Sequence, residues 1–214
     1  EDIQTRAKLD EWMTKHPDKF VLIERKYEKE HMGANGRARN AYLSYLMQNH
    51  KGDFCLVCDP DEILDEKGIK NIKDFLAENQ EAAFNMHMRH FIGSLGEEDS
   101  VAEMHYAPSR LFRIEDDLSY GEVEHPVLQG SFRTAGLCKA STLWHMAYCS
   151  YVFDIKKRYE NHMAKSNIHT KEYLKSWRDA HYFAQYPKKR FELSEIPEVI
   201  LKYFNIDKDR YYFK

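Results

Sequence analysis

Residues 53–64 read Asp53-Phe54-Cys55-Leu56-Val57-Cys58-Asp59-Pro60-Asp61-Glu62-Ile63-Leu64. The apolar run from Phe54 to Cys58 stops at three acids, Asp59, Asp61 and Glu62. A short apolar run bounded by charge predicts a buried strand over 54–58. Pro60 cannot continue a central strand, so the chain turns there. The acids then sit at the strand's carboxyl end, where open α/β sheets place their ligands. Two carboxylates one residue apart at such a tip offer hard oxygen ligands to a divalent cation. Read alone, an isolated D-x-D is more often an acidic turn that caps the next segment, and Glu62 suits that capping role.

Outward from this stretch the chain alternates in type. Upstream, residues 37–48 carry Ala41, Leu43, Tyr45, Leu46 and Met47 on one side of an expected helix, and Gly52 closes it. Further upstream, 3–16 predicts a helix with Leu9, Trp12 and Met13 as its stripe, and Phe20-Val21-Leu22-Ile23 a strand. Downstream, 68–78 predicts a helix with Ile69, Ile72, Phe75 and Leu76 on one face. Residues 83–92 predict a strand with Phe84, Met86, Met88 and His90 on one side, and 93–100 a glycine-containing acidic loop. Strands follow at 110–114, 120–128 and 137–148. Helices are expected at 151–164, 170–183 and 194–204, the last interrupted near its start by Pro197. This pattern predicts one α/β domain over 1–214 whose part from 150 onward is helical.

Composition sets the outer bounds. The 214 residues are 43% hydrophobic and 31% charged, as in a soluble globular protein. A net charge of −3 argues against a dedicated nucleic-acid binder. An aromatic share of 14% suits ring-lined clefts. Cys55 and Cys58 form a C-x₂-C, but three apart on a strand they face opposite sides and cannot share a metal. All four cysteines are expected reduced and buried. No apolar run reaches the roughly 18–20 residues of a membrane span, and no signal peptide is expected. The expected location is the cytoplasm, with membrane association through a missing segment or a partner as the other option.

The order Asn35-Gly36-Arg37-Ala38-Arg39-Asn40, helix, Gly52-Asp53, apolar strand, Asp59-x-Asp61-Glu62 resembles the family 2 type glycosyltransferases of the GT-A fold. Pro108-Ser109-Arg110-Leu111-Phe112-Arg113 and Tyr120-Gly121-Glu122-Val123-Glu124-His125-Pro126 are similar to downstream segments of one branch, and His145 after Trp144 matches a late metal-binding histidine. The resemblance covers roughly residues 20–160. It implies a Rossmann-like mixed sheet flanked by helices. It also implies an inverting, metal-dependent enzyme that moves a sugar from a nucleotide-diphosphate donor to the hydroxyl of a glycan, lipid or protein acceptor. Asp59, Asp61 and His145 would hold Mn²⁺ or Mg²⁺, with Asp59 also reaching the donor. Arg39, Lys156 and Arg158 would face the nucleotide or its phosphates. Glu124, with Glu122 second, would be the base that deprotonates the acceptor. In that branch histidine precedes glutamate, whereas here Glu124 precedes His125. The family's first nucleotide-binding strands are not in this sequence, so the chain reads as N-terminally incomplete.

Each of these residues has a plainer reading. Arg39 suits a surface pair, His145 a hydrogen-bonded core histidine, and Lys156-Lys157-Arg158 the solvated face of a helix. Glu122 and Glu124 suit the exposed side of an edge strand. His87, His90 and His105 lack paired ligand spacing and read as scattered structural or acceptor-site histidines. Two further functions remain. One is a metal-dependent phosphoryl or nucleotidyl transferase, which would need a second acid cluster such as Glu97-Glu98-Asp99. The other is a non-catalytic carbohydrate- or partner-binding relative.

Overall fold

Local apolar spacing becomes local structure along most of the chain. In chain order the described elements are α1 (Ile3–Lys15), α2 (Ala34–Asn49), β1 (Phe54–Leu56), β2 (Glu62–Leu64), α3 (Gly68–Glu78), β3 (Ala83–Asp99), β4 (Ser109–Arg113), β5 (Ser119–Tyr120), β6 (Leu128–Gln129), β7 (Thr134–Cys149), β8 (Lys188–Arg190), a 3₁₀ turn (Leu193–Glu195) and α4 (Glu198–Tyr203). The structure, a computed structural model, describes residues 3–24, 34–99, 109–121, 127–132, 134–149, 188–190 and 193–203. The helices expected at 151–164 and 170–183 lie outside these residues, as do Glu122, Glu124, His105, Lys156 and Arg158. The chain divides into two compact units, Glu1–Lys51 with Ile114–Ser131, and Gly52–Arg113 with Phe132–Lys214.

The second unit holds a sheet of six described strands. Its path runs β1-β4-β3-β7-β2, with β8 added on β3. The β3–β7 pair is parallel and every other described pair is antiparallel. A mixed sheet with helices bears out the α/β class.

Phe84, Met86 and Met88 occupy alternate positions of β3 and so share one face. They pack with Ile72 of α3, Leu111 of β4, and Cys138 and Leu143 of β7 into one buried cluster. Phe75 of α3 meets Phe84 edge-on, with centroids 4.9 Å apart. Gly68 lets α3 begin hard against β2, because a Cβ there would lie 2.3 Å from Leu64 Cγ. The intervening positions of β3 face the other way. There Phe91 stacks on Trp144 at 5.4 Å and the Arg89 guanidinium lies 5.2 Å from the Trp144 ring centre.

The sheet curls. Strands β1 and β2 are joined by residues 57–61 alone, yet they occupy the two ends of the path. Four inter-strand steps would separate them by about 19 Å in a flat sheet. Curling brings Glu62 of β2 within hydrogen-bonding reach of Arg110 in β4. The Asp-Pro-Asp connection therefore crosses one end of the sheet.

In the first unit, α2 docks on the β5–β6 hairpin through one side-chain amide. Asn40 Nδ2 donates to the Tyr120 carbonyl at 2.9 Å, and its Oδ1 accepts the Tyr120 N–H at 2.7 Å. The Tyr42 hydroxyl donates to that of Tyr120 at 3.2 Å. Leu43, Ile114, Leu118, Tyr120 and Leu128 are buried. None of the described side chains of α1 is buried.

Four local expectations are corrected. Residues 20–23 are not a strand, and all four side chains are exposed. A strand needs a neighbouring ladder, and none of the described strands pairs with this segment. Residues 93–99 are not a loop but the continuation of β3. Glu97, Glu98 and Asp99 stand opposite Arg190, Lys189 and Lys188 of β8, and opposite charges across a ladder favour pairing. The strand expected over 54–58 is shorter and half-buried, since β1 ends the sheet path. Cys58, expected buried, is exposed.

Candidate functional site

Residues 59–62 form a turn with Asp at its first position and Pro at its second, a placement that suits the fixed φ of proline. The Glu62 N–H donates to the Asp59 carbonyl at 2.9 Å, and Glu62 Oε2 accepts the Asp59 N–H at 2.8 Å. The turn is thus closed from both ends, and the two aspartates leave it toward different partners.

Asp59 turns to Arg110. One guanidinium nitrogen, Nη2, donates to Asp59 Oδ2 at 2.8 Å and to Glu62 Oε1 at 2.6 Å. The Arg110 side chain is 5% exposed and that of Glu62 is 1% exposed. Burial pushes the Glu62 carboxyl up from its ordinary range, while Arg110 and the Asp59 amide pull it back. Burial also pushes the Cys55 thiol up to about 12 and the Cys58 thiol to about 11.

Asp61 turns to His145. Its Oδ2 lies 3.9 Å from His145 Nε2, with the two side chains 19% and 18% exposed. Pairing of β2 with β7 sets Glu62 opposite His145, which brings Asp61 beside the imidazole. Pairing of β3 with β7 sets His90 opposite His145 from the other side. The two Nδ1 atoms are 2.7 Å apart, and the rings meet edge-on at 83°. His90 extends the apolar face of Met86 and Met88 to the end of the sheet that the turn crosses.

The sequence-predicted residues therefore separate. Asp61 and His145 come together. Asp59 is engaged by Arg110 and Glu62. Arg39 belongs to the first unit, where its guanidinium lies 5.4 Å from the Tyr120 ring centre. Glu122, Glu124, Lys156 and Arg158 lie outside the described residues. His87 Nδ1 is hydrogen-bonded to the Thr142 hydroxyl at 2.9 Å. Among the described residues no group of three or more His, Cys, Asp or Glu side chains is placed to hold one metal ion. A cavity of about 460 Å³ is lined by Asp65, Thr142, Trp144, Ile196, Pro197 and Leu201 among others, and neither Asp61 nor His145 lines it.

Sequence reasoning missed Arg110 and set His90 aside as a scattered histidine. Arg110 was read only as part of a motif, and its pairing with Glu62 spans 48 positions. His90 carried a usable signal: it is a polar residue on an otherwise apolar strand face, and buried polar groups are paired. No described helix is long and apolar enough to cross a membrane. Comparison of the chain with protein-family models, with curated proteins and with solved structures finds no match.

Proposed function

We propose that the chain is a metal-dependent glycosyltransferase of GT-A type. It would move a sugar, with inversion, from a nucleotide-diphosphate donor to the hydroxyl of a glycan, lipid or protein acceptor in the cytoplasm. The observation that carries this reading is the approach of Asp61 to His145 at the crossed end of the sheet. One carboxylate oxygen and one imidazole nitrogen are a donor set that Mn²⁺ accepts, and Mg²⁺ more reluctantly. Neighbouring ligand atoms each roughly 2.1 Å from an octahedral cation are roughly 3 Å apart, so the pair would close from 3.9 Å by about an ångström to share one. Two protein ligands suffice where water and phosphate oxygens complete the shell. A cation bound there offsets the charge of a departing diphosphate.

The chain's own residues divide the remaining work. Arg110, Asp59 and Glu62 hold the turn so that Asp61 is presented to His145. Glu124, with Glu122 second, is the proposed base. Arg39, Lys156 and Arg158 are proposed to meet the donor's phosphates. The rival two-metal chemistry needs a second set of acids, and its candidates Glu97, Glu98 and Asp99 stand in register with a basic strand.

The test is Mn²⁺-linked binding of nucleoside diphosphates and analysis of the released product. Wild-type chain should bind Mn²⁺ more tightly with a nucleoside diphosphate present and release that diphosphate on turnover. Asp61→Asn should lose both while its circular dichroism stays unchanged. Unaltered metal-linked binding in Asp61→Asn, or release of pyrophosphate or inorganic phosphate, would overturn the proposal.

A further inference from the structure

We infer that β8 is an electrostatic strap: complementary charge sets its register on the end of β3, and salt releases it. The inference goes beyond the proposed function and does not rest on it.

The last described pair between β3 and β7 sets Gly93 opposite Cys149. Beyond it β3 runs on to Asp99, and among the described strands only β8 pairs with that extension. The extension has little of its own to keep it a strand. Gly93 and Gly96 weaken it, since glycine loses the most backbone freedom and offers no side chain to pack. Glu97, Glu98 and Asp99 then place three like charges at successive positions. A glycine-containing strand that is polar on both faces is weakly specified in register.

Lys188, Lys189 and Arg190 meet both difficulties. Glu97 stands opposite Arg190, Glu98 opposite Lys189 and Asp99 opposite Lys188. Successive positions alternate between faces, so each face of the ribbon carries opposite charges in register. A slip by one residue would keep two of the three charge pairs, and a slip by two would keep one. One of the single slips also sets Asp99 opposite Pro187, which has no N–H to give the ladder. Charge therefore singles out the observed register. Nearer its start the same strand is held otherwise, with Phe84, Met86 and Met88 in the buried cluster around Ile72, Leu111 and Leu143.

The two ends of β3 should thus differ in their response to salt. The screening length falls from about 10 Å at 0.1 M salt to about 3 Å at 1 M, whereas apolar burial does not depend on charge. Three cross-strand pairs of ordinary strength favour the docked strand by about 3- to 100-fold.

Hydrogen exchange read by mass spectrometry on the whole chain, at one pH, in about 0.1 M and about 1 M NaCl tests this. Peptides holding 97–99 and 188–190 should exchange at least about 3-fold faster at high salt, and peptides holding 84–88 should not change. No acceleration at 97–99, or the same acceleration at 84–88, overturns the inference. At low salt, the triple variant Lys188→Glu, Lys189→Glu, Arg190→Glu should lose the protection of 97–99. Adding Glu97→Lys, Glu98→Lys and Asp99→Lys should restore it, because the exchanged charges oppose each other again. Protection kept in the triple variant overturns the inference, and so does loss that the exchange fails to restore. Should either variant fail to fold, the wild-type salt series decides.

Discussion

On one side of Pro60, Asp59 shares a single nitrogen of Arg110 with Glu62, at 2.8 and 2.6 Å. On the other side, Asp61 and His145 face each other across 3.9 Å, beyond hydrogen-bonding distance. The first cluster is closed: buried opposite charges touch, and each compensates the other's loss of water. The second is looser: both side chains keep partial contact with solvent, and no direct hydrogen bond joins them. A proline turn that directs neighbouring acids to different partners thus makes one half of the D-x-D a structural clamp and turns the other toward His145. The two halves should respond differently to mutation.

Arg110→Met should have the largest effect. It leaves the Glu62 carboxylate, 1% exposed, without its counter-charge and removes the donor to Asp59. The expected loss is about 3–5 kcal/mol in urea unfolding, the usual result of breaking one side of a buried ion pair. Adding Glu62→Leu should recover most of that loss, because the stranded charge is then gone. A loss under about 1 kcal/mol for Arg110→Met would break the contrast between the halves.

The same contrast explains what could be read from the sequence. Helix α3 matches its expected span over 68–78 because its stripe of Ile72, Phe75 and Leu76 is local information. The same holds for the β3 face of Phe84, Met86 and Met88; the nearness of Asp61 to His145 joins β2 to the distant β7 and was implied by the resemblance alone, not by local spacing. Strand β2 was not legible: it is three residues long and starts with a carboxylate, whose burial makes sense only beside Arg110. The continuation of β3 to Asp99 was hidden by two glycines, and it depends on the basic register of β8 far along the chain. Phe20 to Ile23 failed in the opposite sense. Four apolar residues propose a strand, but a ladder partner is not a property of four residues. Phe20 instead rests against Trp12, with ring centres 6.0 Å apart.

Cys58 reports on the closed half next. It is exposed, yet desolvation comes first among the causes that raise its thiol to about 11, with the charges of Glu62 and Asp59 adding and Arg110 opposing. The neutral thiol therefore dominates until strongly alkaline pH, and the thiolate is the reactive form. At pH 8, maleimide labelling of Cys58 should be about tenfold or more slower than that of a free cysteine, whose thiol titrates near 8.5, because the smaller thiolate fraction outweighs the greater nucleophilicity of a more basic thiolate. The rate should climb with each pH step toward about 11. Labelling followed by peptide mass spectrometry at several pH values checks this. A free-cysteine rate at pH 8 would mean that the clamp is as loose as its neighbour.

Asp59→Asn should cost less. The amide oxygen still accepts from Arg110, and at 35% exposure the lost charge is partly screened by solvent. About 1 kcal/mol is expected by urea unfolding.

Asp61→Asn should be the mildest of the set for stability, within about 0.5 kcal/mol. Its carboxylate stands 3.9 Å from His145, too far for the pair to contribute the strength of a direct hydrogen bond. Partial exposure further weakens their attraction. Urea midpoints for Asp59→Asn and Asp61→Asn, read side by side, measure the asymmetry directly. If Asp61→Asn destabilises the chain as much as Arg110→Met does, then Asp61 belongs to the structural clamp. The site would have no half left over for a ligand.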